Sequence, residues 1–91
     1  MTERVRTDGY YHKVDGEYRT SVEISMNQVG DIWYSEHFYK MGERGFWEYR
    51  ADCPNRAQRV KEWSRAVEML TETISRGGYT HSSEIKSGGV L

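Results

Sequence analysis

The residues that could carry chemistry in this 91-residue chain are few: one cysteine, three histidines and scattered carboxylates. Cys53 stands between Arg50 and Arg56 and just before Pro54, where the start of a helix would bring positive potential to the thiol and lower its pKa. Local sequence places no histidine beside it, and Cys53 reads as a small apolar filler at a strand-to-helix junction. A single cysteine forms no intramolecular disulfide and anchors no zinc site by itself. His12, His37 and His81 have no His or Cys partner at i+2 to i+5. Three distant segments would have to converge before they could hold a metal, so they read as surface or edge histidines. Glu23, Glu36 and Glu48 could align across strands, but glutamates alternating along a solvated sheet are ordinary. The glycine pairs Gly42/Gly45 and Gly77/Gly78 fall in a hairpin and at a helix end, not in a phosphate-cradling loop that opens a helix. The expectation is a non-enzyme with no metal and no cofactor.

Two departures from ordinary composition point to binding instead. Arg56, Arg59, Lys61 and Arg65 crowd what reads as the first half of a helix, while Glu68 and Glu72 come late. The helix macrodipole favours the reverse order, and Arg44 and Arg50 precede the same segment. This could be an anion-facing patch, or a solvated face relieved locally by Glu62–Arg65 and Glu72–Arg76 pairs. The second departure is aromatic. Trp33, Tyr34, Phe38, Tyr39, Phe46, Trp47 and Tyr49 fall on two neighbouring strand segments, and one helix covers only one sheet face. Aromatic residues with Arg and Met dominate binding hot spots, and bases also stack on such platforms. The candidate partner-binding residues are therefore Arg44, Arg50, Arg56, Arg59, Lys61, Trp33, Tyr39 and Trp47.

Bulk composition bounds these readings. Thirteen Lys and Arg against fourteen Asp and Glu give a formal charge of −1, which excludes a strongly basic polyanion binder and a strongly acidic nucleic-acid mimic. Leu, Ile, Val and Phe make up about 16% of the chain, under the roughly 20% that flags disorder. Disorder also needs high net charge and few aromatics, whereas this chain has 2 Phe, 3 Trp and 7 Tyr. The core must be aromatic rather than leucine-rich. Met1 to Arg6 offer no apolar stretch of a signal peptide, and no run approaches the roughly 18 apolar residues of a membrane span. A reducing, cytoplasmic setting fits best.

The elements that must position these residues follow from periodicity. Residues 1–9 read as a loose N-terminus. Tyr10 to Val14 meets Asp15-Gly16, a hairpin signal of the type I′ kind. In the next strand Tyr18, Thr20, Val22, Ile24 and Met26 alternate with Glu17, Arg19, Ser21, Glu23 and Ser25, which is a half-buried strand with a wet outer face. Asn27–Asp31 reads as a longer hairpin loop. Ile32 to Met41 forms a third strand with apolar residues on both faces: Ile32, Tyr34 and Phe38 on one, Trp33, Tyr39 and Met41 on the other. Gly42–Gly45 closes a hairpin into a short fourth strand over Phe46–Ala51.

The period then changes to 3.6. Val60, Trp63, Val67, Leu70 and Ile74 form one helical stripe, with Ala57 and Ala66 at its margin. The start is expected at Asp52–Asn55, with Asp52 or Asn55 as cap, and the stop at Gly77-Gly78. Trp63 should sit near the centre of the helix–sheet contact. Residues 78–91 read as a flexible tail, with an edge strand over Tyr79–Ile85 as the alternative.

The predicted fold is α+β: a four-stranded antiparallel meander followed by one long helix on one face (β-β-β-β-α), a single domain over residues 10–77. Architecture of this kind does not specify function. The expected function is a small non-enzymatic protein-binding module that acts by surface occlusion. Short, cysteine-poor chains without motifs are common among phage and mobile-element accessory proteins, including inhibitors of host defence proteins. The alternative is a small nucleic-acid-binding domain using the Arg-rich helix start and an aromatic sheet face. With rings left over on a second face, the chain is also expected to form a homodimer.

Overall fold

The computed structural model describes residues 5–84. The chain runs through β1 (Tyr11–Asp15), β2 (Tyr18–Met26), β3 (Ile32–Met41), β4 (Trp47–Tyr49), β5 (Arg56–Val60), α1 (Trp63–Ile74), β6 (Thr80–His81) and a 3-10 turn at Ser82–Glu84. Every strand pairing is antiparallel, and the sheet order is β4-β3-β2-β1-β6, with β5 also bonded to β3. The fold is α+β, as the periodicity predicts, with a shorter helix and two more strands than the meander reading contains.

The first hairpin turns one residue later than Asp-Gly suggests. Asp15 pairs with Tyr18, so the two loop residues are Gly16 and Glu17. Gly16 has φ +63 and no non-glycine among the described residues, Glu17 included, has positive φ, which is the pattern of a type II′ turn rather than type I′. Asn27 builds the next loop, as its Oδ1 accepts the N–H groups of Val29 (3.1 Å) and Asp31 (2.9 Å).

The sequence reading errs most after Tyr49. Arg56–Val60 is a strand, not the first turns of a helix. The cause lies in β3, ten residues long, whose outer edge is met by β4 only at Tyr39–Met41. The rest of that edge carries backbone groups that need partners, and β5 supplies them by pairing Ile32–Glu36 with Val60–Arg56. The gap between β4 and β5 is closed at Phe38. Its N–H donates to Asn55 Oδ1 at 2.9 Å and its carbonyl accepts Arg50 N–H at 3.2 Å. Asn55 therefore caps a strand gap rather than a helix, and Asp52 pairs with Arg50 instead of capping.

The helix begins at Trp63, with Glu62 as an N-cap that makes no side-chain cap bond, and ends at Ile74. The positive-φ pair Gly77 (+90) and Gly78 (+87) follows it as expected. Its buried line is Ala66, Leu70 and Thr73. Trp63 is only half-buried at the first turn, so the centre of the contact is Ala66 and Leu70, with 0% and 1% exposure. Val60 keeps its place in the core, but from the end of β5. Helix and sheet enclose Tyr11, Val22, Ile24, Ile32, Tyr34 and Val60. These include the even-numbered positions of β2 and β3, so the odd-numbered positions face the other way.

The first and last described segments are tied to each other. Thr80 and His81 pair with His12 and Tyr11, which makes the Tyr79 segment the edge strand held as the alternative to a flexible tail. Residues 85–91 of that tail and residues 1–4 of the predicted N-terminus lie outside the described residues. Val5 packs against the core, and Arg6 N–H donates to the Tyr11 hydroxyl at 2.8 Å. His81 is not a surface histidine: it is 3% exposed, edge-on to Tyr11, with Nε2 2.6 Å from the Asp8 carbonyl. Ser83 N–H donates to its Nδ1 at 3.0 Å, so the hydrogen-bond network assigns the ring proton to Nε2.

Candidate interaction face

The face of the sheet away from α1 is set out by strand register. His12 on β1 stands opposite Ser21 on β2, which stands opposite His37 on β3. One row along, Val14, Arg19, Tyr39 and Tyr49 align across β1 to β4. On the other side, Glu23 pairs with Ser35 and Ser35 with Ala57, and Ser25 pairs with Trp33, itself opposite Arg59. Ser21, Ser35 and Ala57 thus share the middle of this face with His12, His37 and Glu23. Large side chains stand at its ends: Trp33 at one, and Tyr39, Tyr49 and Trp47 with Met41 at the other.

The ring-rich end is ordered by stacking. Tyr39 and Tyr49 lie with centroids 5.3 Å apart and planes 23° from parallel, an arrangement worth about 0.5–1.5 kcal/mol beyond area burial. The Arg19 guanidinium lies 5.2 Å from the Tyr39 ring centroid and 5.9 Å from that of Tyr10. Together with Ser21, Glu23 and His37 these side chains line an open depression of about 240 Å³. Tyr49 is 68% exposed and Phe46, in the turn before β4, is 69% exposed. His12, beside Ser21, has both ring nitrogens buried and without a partner among the described residues. Burial of its ring, and then the Arg19 charge, hold it below the usual histidine range.

The eight residues read as partner-binding do not form one patch. Trp33, Tyr39 and Trp47 share the open face, as does Arg59, whose guanidinium is engaged by Asp31 at 2.6 Å. Arg56 lies on the helix side, bonded to Glu36 at 2.8 Å and over the Phe38 ring. Arg50 packs on Tyr18, 4.3 Å from the ring centroid, while bonding Asp52. Arg44 sits in the exposed Gly42–Gly45 turn and Lys61 between β5 and α1. The Arg-rich helix start does not exist, because Arg56, Arg59 and Lys61 all precede the helix. Glu62–Arg65 is not an ion pair either; Arg65 bonds Glu68 at 2.6 Å.

A larger depression, about 420 Å³, lies between the β2–β3 loop and β5, lined by Asp31, Ile32, Arg59, Val60 and Lys61 with Gly30. Its arginine already bonds Asp31, and Lys61 lining it is unengaged among the described residues. Cys53 is half-buried in the β4–β5 loop, well before the helix and not at its N-terminus. No helix among the described residues is long and apolar enough to cross a membrane.

Tyr10, Arg19, Ser21 and His37 are residues of this face that the aromatic and basic clusters of the sequence pass over, and Tyr49 belongs to the aromatic cluster but not to the eight candidates. The signal for them was the alternation of β2, which puts Arg19, Ser21 and Glu23 on its wet side. That alternation does not say which rings stand beside them. The class these features define is an antiparallel sheet with one helix-covered face and one open face bearing rings and an arginine. No protein-family model matches the chain, and neither a curated protein nor a solved structure matches it.

Proposed function

We propose that this is a non-enzymatic protein-binding module that presents the open face of its sheet to a protein partner. The observation that supports it most directly is the combination on that face of an ordered ring pair, Tyr39 on Tyr49, with an arginine held by rings rather than by an acid. Aromatic and arginine side chains of this kind are the usual anchors of protein interfaces, since they bury much area for little lost entropy. The setting is cytoplasmic, and the mode of action is occlusion of the partner's surface, in the manner of phage or mobile-element accessory proteins that inhibit host defence proteins. Trp33 and the Tyr39–Tyr49 pair also offer stacking platforms to bases, which is the nucleic-acid alternative. Glu23 on the same face and the formal charge of −1 oppose a polyanion.

The test is a comparison of the full chain with the variant Trp33→Ala/Tyr49→Ala as immobilised baits in an extract of the organism that carries it, run in parallel with and without nuclease. A protein captured by the full chain is identified by mass spectrometry, purified and titrated against both baits. At least tenfold weaker binding to the folded variant is expected. Undiminished binding to the variant, or binding that requires nucleic acid and collapses with salt, overturns the reading.

A further inference from the structure

Five arginines among the described residues meet a carboxylate: Arg6 with Asp8, Arg50 with Asp52, Arg56 with Glu36, Arg59 with Asp31 and Arg65 with Glu68. Arg19 meets none among the described residues, although it is only half exposed. Its guanidinium is placed by Tyr10 and Tyr39 instead. Rings restrain the guanidinium without using its N–H donors, which are arranged as a fork. Beside it lies Ser21, 6% exposed and lining the same depression, with no side-chain hydrogen bond among the described residues. The Ser21 hydroxyl thus opens onto the depression with its donor and acceptor capacity unused by the described residues.

One chemical group answers both features. A carboxylate is planar, accepts two parallel bonds from a guanidinium, and has lone pairs to spare for a neighbouring hydroxyl. Glu23 decides between a single acid and a polyanion. It lines the same depression, on the far side of Ser21 along β2, so its Cα is about 13 Å from that of Arg19 at the usual strand rise. A chain of phosphates crossing the depression would bring several negative charges to that carboxylate, whereas one acidic side chain brings a single charge. His37, opposite Ser21, is the remaining titratable group lining the depression besides the tyrosines.

We propose that Arg19 and Ser21 form a carboxylate-receiving site through which the open face takes an aspartate or glutamate side chain of its protein partner. The guanidinium donates two bonds to the carboxylate, the Ser21 hydroxyl donates a third, and Tyr10 and Tyr39 wall the site. The proposal rests on the protein-binding reading above and names the chemistry of the partner's contact residue.

The site is tested with small probes on the full chain. Isotope-labelled protein is titrated at constant ionic strength with N-acetyl-glutamate methylamide, its glutamine counterpart and uridine 5′-monophosphate. Resonances followed are the Arg19 side-chain Nε–H and the amides of Arg19, Ser21 and Val29. Saturable shifts at Arg19 and Ser21 with the glutamate probe are expected, with Val29 still. The glutamine probe should bind at least about fivefold more weakly, and Arg19→Gln should weaken glutamate binding about tenfold or more, the size of a lost charge-assisted bond. Should Arg19→Gln fail to fold, Ser21→Ala is expected to weaken it about threefold or more. Equal response to glutamine, shifts centred elsewhere, tighter binding of uridine monophosphate, or variants that bind glutamate undiminished overturn the proposal. A glutamate response without any protein captured by the bait sinks the protein-binding reading alone. A captured partner lost on Trp33→Ala/Tyr49→Ala with no glutamate response sinks this site alone.

Discussion

Tyr34 and Thr73 show how a single hydrogen bond joins sheet and helix. Their side-chain oxygens lie 2.6 Å apart in the core, and burial raises the Tyr34 hydroxyl pKa so that it stays protonated and able to donate. Tyr34→Phe is expected to cost about 1–2 kcal/mol in urea denaturation, because it strands a buried Thr73 oxygen. Tyr34→Phe with Thr73→Val should recover most of that loss, since neither partner is then left unmatched. A double variant as unstable as the single one would assign the loss to packing instead. His12 predicts a pH dependence. Its folded pKa is lowered, so just below about pH 6.5 the unfolded chain binds more protons than the folded one. Stability from this source is complete above the unfolded pKa and falls as pH drops through about 6.5 toward the folded value. Asp8 and Asp52, held low by Arg6 and Arg50, act only at lower pH. Denaturation midpoints measured from pH 7 to 5 should decline in the full chain and flatten in His12→Gln; equal slopes would clear His12 of the effect.

At the scale of elements, α1 has room for improvement at its start. Glu62 has the extended backbone of an N-cap, φ −131 and ψ 143, but its side chain makes no cap bond, and the first turn holds no acid. Aspartate keeps the charge favoured near a helix N-terminus and is short enough to accept a first-turn N–H. Glu62→Asp is expected to raise stability by about 0.5–1 kcal/mol, read as a higher urea midpoint with unchanged slope. A lower midpoint would mean that Glu62 is held by contacts other than its cap position. From the end of β2 to Met41 the strand boundaries were legible because alternation and turn residues agree there, while the first turn falls one residue later than Asp-Gly suggests. The β5–α1 boundary was not legible. Val60 and Trp63 satisfy a helical spacing of three, yet one ends a strand and the other starts a helix. Only the unpaired half of β3 explains why.

For the whole molecule, the open face raises the question of self-association. Its rings lie at two ends with Ser21, Ser35 and His37 between them, so the surplus is not one continuous apolar patch. We still expect a weak homodimer through the Tyr39–Tyr49 end, where Tyr49 and the neighbouring Phe46 are 68% and 69% exposed. Sedimentation equilibrium at micromolar to millimolar concentration should show a mass rising above 10.7 kDa, with Tyr49→Ser holding it at the monomer value. A constant 10.7 kDa for the unaltered chain across that range would end the dimer.

The sequence by itself determined the class of fold, the end of β2, the bounds of β3, and the division of β3 into an Ile32/Tyr34 face and a Trp33/Tyr39 face. These depend on period-two alternation and on turn residues, which act within a few positions. Tertiary structure alone decided the fate of Arg56–Val60, the burial of His81 and the company of Arg19. Residues 56–60 become a strand because β3 has backbone groups to satisfy. His81 is buried because β6 adds to the edge of β1. Arg19 lies between Tyr10 and Tyr39 because antiparallel pairing brings together residues far apart in the chain. Pairing across strands is a long-range choice, and periodicity within one segment carries no record of which neighbour it will meet.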